Sequence, residues 1–363
     1  MNEIRQQVQN DALHAINKGD NVGVAVSMGV GKTLIGLRHM EYMYNDSLNV
    51  LVVAPKKAIL KSWKDEAVKF KMEYLLNHIT FSTYVSLNKQ SLNYDVVYLD
   101  ECHNLLYTHE PWLEKFQGKI VGLTGTPPKK PDSEKGTMVR NYCPIKYTYE
   151  TDDAVDDGIL NDYEIHVHMI SLDERKNFIK KLKNGKTFPS SELADYNYWS
   201  ERLLNANGGK EVQILRVMRM KAMMSYPSKE RYAKLLMNTI SDKCIVFANT
   251  HDQADKLCDH SYHSSNPQSE INLQNFKDGV INKLSCVLQL SEGVNIPNLK
   301  QGIILHAYGN ERKATQRIGR MLRLNPDEKA IVHILCYEDT VDETWVSQAL
   351  EKYDENKIKY VSI

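Results

Sequence analysis

Several features that would place this chain in other protein classes are missing from its 363 residues. Cysteine is sparse: Cys102, Cys143, Cys244, Cys258, Cys286 and Cys336 are scattered, with no CxxC pair. That pattern argues against a zinc ribbon and a disulfide framework, and it fits reduced thiols in a cytoplasm. An excess of charge is missing too. The 46 Lys and Arg balance the 46 Asp and Glu, so any surface for nucleic acid must be a local patch. No apolar run is long enough to span a bilayer, and Met1-Asn2-Glu3-Ile4-Arg5 has no apolar signal core. Neither a membrane nor export is expected. What remains has the composition of a soluble globular protein, long enough for two domains.

One stretch organises the rest. The apolar run Val22-Gly23-Val24-Ala25-Val26 leads into Ser27-Met28-Gly29-Val30-Gly31-Lys32-Thr33, and then into Leu34-Ile35-Gly36-Leu37. This reads as strand, glycine loop and helix, the setting of a phosphate-binding loop. Gly29 and Gly31 let the backbone approach phosphates, and N–H groups at the helix start face them. Lys32 would reach the β- and γ-phosphates of ATP, and the Thr33 hydroxyl would ligate Mg²⁺. The strict pattern has a glycine where Val26 stands.

Upstream, residues 2–17 read as a glutamine-rich amphipathic helix with Val8, Ala12, Leu13 and Ile16 on its apolar face. Downstream, Asn49 to Pro55 is a second buried strand. Lys56 and Lys57 follow it, at the start of a helix carrying Leu60, Trp63, Ala67 and Phe70. These lysines are either solvated charge or, with the helix N–H groups, a seat for a nucleic-acid phosphate. A third strand, Tyr94 to Leu99, ends in Asp100-Glu101-Cys102-His103. Two adjacent acids at a buried strand end need a cation, and Mg²⁺ supplies it. Asp100 would hold the metal, and Glu101 would orient or deprotonate the attacking water. A fourth strand, Lys119 to Leu123, runs into Thr124-Gly125-Thr126-Pro127-Pro128, a hydroxyl-rich turn able to sense the phosphate state.

The order SMGVGKT, VVAPKKAILKSW, DECH, LTGTP resembles the first lobe of a superfamily 2 helicase or translocase. The second half continues the resemblance. Lys243 to Asn249 is similar to the strand that opens the second lobe's core. Gln289 to Asn295 resembles the fifth family motif, and Gln316-Arg317-Ile318-Gly319-Arg320-Met321-Leu322-Arg323 the sixth. The resemblance implies two tandem RecA-like α/β lobes with mostly parallel sheets, the first over 1–150 and the second over 151–363. A helical insertion over 171–240 accompanies the second lobe.

It also implies roles. Arg320, with Arg323 second, would stabilise the γ-phosphoryl transition state, and Gln316 would position the water or the arginine. His103, Thr124, Thr126 and Gly293 would couple ATP to nucleic acid. Lys56, Lys57, Thr83, Ser291 and Asn295 would touch nucleic-acid phosphates. Gln9, by its spacing to Ala12-Leu13, is the choice for the adenine edge, with Gln6 the alternative. Closure of the lobes on ATP and opening after hydrolysis would step the chain along DNA.

The APKKAILKSWKDE and EGVN segments resemble Swi/Snf-type translocases and phage branch-migration helicases rather than the DEAD-box pattern, since His103 replaces the final aspartate. The expectation is a monomeric, phage-like motor in the cytoplasm, acting on single-stranded, forked or branched DNA, with RNA still open. Unwinding or branch migration would be its output. The rivals are a duplex translocase that remodels without separating strands, a low-turnover ATP-dependent subunit of a nuclease complex, and a metabolic P-loop kinase.

The middle of the chain says less. Residues 174–186 hold six basic residues and one acid around Phe178, Ile179 and Leu182. Val212, Leu215, Met218, Met223 and Met224 read as helix core. His166 and His168 alternate on one strand face, and without further ligands in view they read as core or surface histidines rather than a metal site. After a strand over 330–335, Thr340 and Glu343 form a possible capping box. No zinc module, winged helix or basic tail is seen after it, so a nearly bare motor is expected.

Overall fold

Continuous apolar runs become fully buried strands, as parallel sheets covered on both faces require. In the computed structural model they form two units, the first running to Asp162 and the second beginning at Tyr163. The structure describes residues 3–27, 29–181, 185–287, 296, 298–307, 329–351 and 353–363.

The first unit contains β1 (Val22–Val26), β2 (Val50–Ala54), β3 (Ile79–Thr83), β4 (Val96–Asp100), β5 (Lys119–Thr124) and β6 (Ile145–Tyr149). They pair in the order β3-β2-β4-β5-β1-β6, and every pairing is parallel. Parallel strands present their carboxyl ends at one edge, where α/β sheets bind ligands. The segments after β1, β2, β4 and β5 therefore emerge together.

Helices α1 (Glu3–Lys18), α2 (Lys32–Met43) and α3 (Lys57–Lys69) cover the sheet. α1 buries Val8, Gln9, Ala12 and Ile16. Gly36 of α2 permits close packing of α3, since a Cβ there would stand 2.4 Å from the Trp63 ring. Short helices α4 (Glu110–Leu113), α5 (Glu134–Tyr142) and α6 (Thr151–Asp156) complete the unit. The acidic segment 151–160 sits with this unit, because Ala154, Ile159 and Leu160 bury their side chains in it.

The second unit starts with β7 (Tyr163–Ile170), followed by β8 (Phe178–Lys181) and β9 (Thr187–Ser190), which pair as an antiparallel hairpin. The basic stretch around Phe178 thus forms a strand before any helix begins. Helices α7 (Glu192–Leu204), α8 (Gly209–Met224) and α9 (Pro227–Thr239) follow. α8 buries Leu215 and Met223 but leaves Met218 exposed, so its core face is narrower than the run of methionines implies.

Then come β10 (Cys244–Ala248), α10 (His251–Leu257), β11 (Ser261–Tyr262), α11 (Ser269–Lys277), β12 (Lys283–Val287), β13 (Gln301–Ile304), β14 (Ala330–Tyr337), a helix over Val341–Leu350, and β15 (Ile358–Ser362). The sheet order is β11-β12-β10-β13-β14-β7-β15, again parallel at every pairing described. Both units are parallel-sheet α/β domains of the RecA-like kind. Among the described residues, no helix is long and apolar enough to cross a membrane.

Candidate active site

The loop after β1 is shaped by two glycines in the left-handed region. Gly29 has φ of +98° and Gly31 +109°. Side-chain ends also close in on both positions. A Cβ on Gly29 would stand 2.8 Å from Leu160 Cδ2, and one on Gly31 2.9 Å from Gln9 Nε2. Gly31 caps α2, so the free N–H groups of the first turn open onto the loop, where an anion is favoured. Lys32 and Thr33 are the first two residues of that helix.

α1 clamps the loop. Gln9 Nε2 donates to the Val30 carbonyl at 2.7 Å, and Arg5 Nε donates to the same oxygen at 3.0 Å. Arg5 also donates to the Gly29 carbonyl at 3.0 Å. Of the two glutamines considered, Gln9 is buried against the loop and Gln6 is exposed. Gln9 Oε1 is buried with no hydrogen-bond partner, and so are Ser27 Oγ and Thr126 Oγ1. Buried polar atoms without partners are costly, so they mark where a polar ligand fits.

The acids lie at the end of β4. Asp100 is 4% exposed, and its Oδ2 accepts from the Trp63 indole Nε1 at 2.8 Å. Its backbone carbonyl accepts from the Tyr84 hydroxyl at 3.0 Å. Burial, reinforced by the Glu101 charge, raises the Asp100 carboxyl to about 6, against the pull of Lys32 and Trp63. Glu101 sits at φ +52°, ψ +54°, a backbone state that costs a non-glycine residue roughly 1–2 kcal/mol. Its Oε1 accepts from Lys32 Nζ at 3.0 Å. Its Oε2 lies 3.4 Å from His103 Nδ1, and the Thr124 hydroxyl donates to it at 3.5 Å. His103 Nδ1 is also 2.9 Å from Thr124 Oγ1, which accepts from the Thr126 N–H at 3.1 Å. A polar chain therefore runs from the phosphate loop through Glu101 to the turn after β5.

These residues fit a nucleoside triphosphate with a divalent cation. The raised Asp100 carboxyl lacks a full counter-charge, Lys32 is held at the acids, and the buried acceptor of Gln9 suits an amino group such as that of adenine.

Residues 1–129 match the family described as type III restriction enzyme, res subunit, and residues 228–325 match the helicase conserved C-terminal domain. The two matches stand in the order of the two domains of a superfamily 2 helicase core.

Relatives of this helicase core include the DNA 3'-5' translocase XPB2 of Sulfurisphaera tokodaii. It is 24% identical over 357 residues, covering 90% of this chain and 80% of the relative. Among solved structures, a fragment of a type I restriction enzyme HsdR subunit from Vibrio vulnificus YJ016 is 18% identical. Its TM-score is 0.63, over 99% of this chain and 68% of that one. The type ISP restriction-modification enzyme LlaBIII, solved bound to DNA, is 14% identical with a TM-score of 0.64. The match takes in 99% of this chain but 31% of LlaBIII, so this chain spans under a third of that enzyme.

The remaining expected residues of the helicase core fall in two groups. Lys56 and Lys57 are exposed, at the N-cap and first residue of α3. Thr83 ends β3 and pairs with Ala54 at the end of β2, which places it beside the lysine segment. Gln316, Arg320, Arg323, Gly293, Ser291 and Asn295 lie outside the described residues. Two residues that meet Asp100 carry no local signal of that role. Trp63 reads as one more apolar position on α3, and Tyr84 as part of a turn.

Proposed function

We propose that this chain is an ATP-dependent DNA translocase or helicase that uses ATP hydrolysis to move along DNA, with unwinding or branch migration as its output. The observation that carries the reading is the connected set Lys32, Glu101, His103 and Thr124, gathered at one sheet edge beside a loop whose two glycines hold left-handed backbone. A bare phosphate-binding site does not require such a link to the turn after β5. A motor does, because the hydrolytic state must reach the segments that touch its track.

In this reading Lys32 and the first turn of α2 hold the phosphates, and Gln9 holds the adenine edge. Thr33 and Asp100 hold Mg²⁺, which when bound offsets the phosphate charge. Glu101 orients the attacking water and accepts its proton. His103, Thr124 and Thr126 transmit the outcome. Arg320 and Arg323, with Gln316 positioning them or the water, supply positive charge to the transition state.

DNA phosphates meet Lys56, Lys57 and Thr83, together with Ser291 and Asn295, while Gly293 takes part in coupling. A cleft of about 410 Å³ lined by Pro55, Tyr84, Val85, Asn88, Asn104 and Leu106, with Thr108 and His109, begins at Pro55, the residue before the lysines. The decisive experiment measures ATPase rate with single-stranded, duplex, forked and four-way DNA, and with RNA. Absence of stimulation by any nucleic acid overturns the motor reading and revives a metabolic P-loop kinase.

A second reading is favoured by the restriction-enzyme family matched over residues 1–129. The chain would then be the motor subunit of a nuclease complex, translocating on duplex DNA without separating strands. Triplex displacement without strand displacement distinguishes it.

A further inference from the structure

Within the second unit, β14 pairs in parallel with β7 so that His333 stands opposite His166. His168 is two residues further along β7 and projects from the same face of the sheet. Each of the three rings can offer one nitrogen such that all lie within 4.8 Å of one another. His168 Nε2 and His333 Nδ1 face each other at 2.9 Å. The opposite nitrogens meet oxygens. His168 Nδ1 is 2.9 Å from the Tyr232 hydroxyl, and His333 Nε2 is 3.1 Å from Gln301 Oε1. His166 Nε2 is 2.9 Å from Glu164 Oε2.

We propose that His166, His168 and His333 form a zinc-binding site on the sheet of the second unit. Imidazole with an oxygen on its second nitrogen is the arrangement that orients metal-bound histidines and raises their basicity. Zinc held at its usual distance to nitrogen spaces its ligands about 3.4 Å apart. The close pair must open by roughly half an ångström, and the third nitrogen must move in by at most about 1.5 Å, within reach of side-chain rotation. His166 is the partly exposed member, so an ion would enter on its side and would take water as its fourth ligand.

Without an ion, hydrogen bonds hold the rings in place. Tyr232 donates to His168, His168 to His333, and His333 to Gln301. With zinc, His168 carries its proton on Nδ1 and Tyr232 accepts it, so no net proton is released by that ring. Lys329 and Lys359 both donate to Glu164, at 2.6 and 2.9 Å. The surroundings are therefore not anionic, and affinity should fall below that of a thiolate site.

The test uses the full chain, stripped with chelator, incubated with Zn²⁺ alone, desalted and analysed by elemental mass spectrometry. One equivalent of zinc should remain, with a nitrogen and oxygen shell in X-ray absorption. His166→Ala and His333→Gln, checked for folding by circular dichroism, should each weaken binding at least tenfold in competition with a chromophoric chelator. If the buried His333→Gln variant misfolds, the rim variant His166→Ala decides. No retained zinc in the wild type, sulfur in the shell, or unchanged affinity in folded His166→Ala overturns the proposal.

Discussion

Trp63 Nε1 donates to Asp100 Oδ2 at 2.8 Å. One bond thus joins α3, the helix that opens with Lys56 and Lys57, to the acid at the end of β4. Burial makes that bond matter, since Asp100 is nearly inaccessible and its carboxylate has few other donors. Trp63→Phe removes the donor and, with it, the outer indole carbons Cη2 and Cζ3 that pack on Gly36. Stability should fall by at least about 2 kcal/mol, the worth of a buried hydrogen bond to a charged group, with the lost packing added. The Mg²⁺ concentration for half-maximal ATPase should rise, and stimulation by DNA should weaken more than the basal rate. Unchanged Mg²⁺ dependence and stimulation would show that the bond serves packing alone.

Lys32 and Glu101 form an ion pair. Lys32→Ala should abolish ATP turnover and weaken nucleotide binding. Glu101→Gln should slow hydrolysis greatly while binding nucleotide at least as tightly as the wild type, because Lys32 no longer has to leave a carboxylate. Fluorescent-nucleotide titration beside single-turnover hydrolysis measures both. Nucleotide binding lost equally in the two variants would give Glu101 a different role.

His39 of α2 is buried and hydrogen-bonded to the Tyr98 hydroxyl of β4. Burial, helped by the Lys119 charge, lowers it to about 4. The unfolded chain binds a proton there near pH 6.5, so between pH 6.5 and 4 the unfolded state holds more protons. Stability should therefore be fully present above pH 6.5 and decline as pH falls, by about 2 kcal/mol at pH 5 from this group. His39→Gln should flatten that part of the curve in urea unfolding at pH 7.5 and pH 5. An unchanged slope in the variant would remove His39 as the cause.

Arg320→Ala should leave nucleotide binding near normal and lower kcat by about a thousandfold, as loss of a transition-state arginine does in comparable NTPases. Arg320→Lys should rescue little, because an ammonium lacks the planar fork that engages two oxygens. Wild-type hydrolysis in Arg320→Ala would move the role to Arg323.

Lys56→Ala/Lys57→Ala should weaken DNA binding at all sequences alike and reduce the slope of log affinity against log salt by about 1–2. The measurement is fluorescence anisotropy at several salt concentrations. An unchanged slope would place the phosphate contacts elsewhere.

Much of this protein is legible in one dimension. Local rules determine that Val22 to Val26, Val50 to Ala54 and Val96 to Asp100 are buried strands, since parallel strands covered on both faces leave unbroken apolar runs. The phosphate loop is legible because strand, glycines, lysine and helix are contiguous. Tertiary structure alone decided what depends on the sheet. Strand order brings Lys32 to Glu101 and Thr124 to His103, and packing at Gly36 brings Trp63 to Asp100. Pairing of β14 with β7 places a third imidazole, His333, beside His166 and His168, from a strand far along the chain. Periodicity fixes which face of a strand a residue occupies. Which strand lies beside it is set by long-range packing, and no local spacing records that choice.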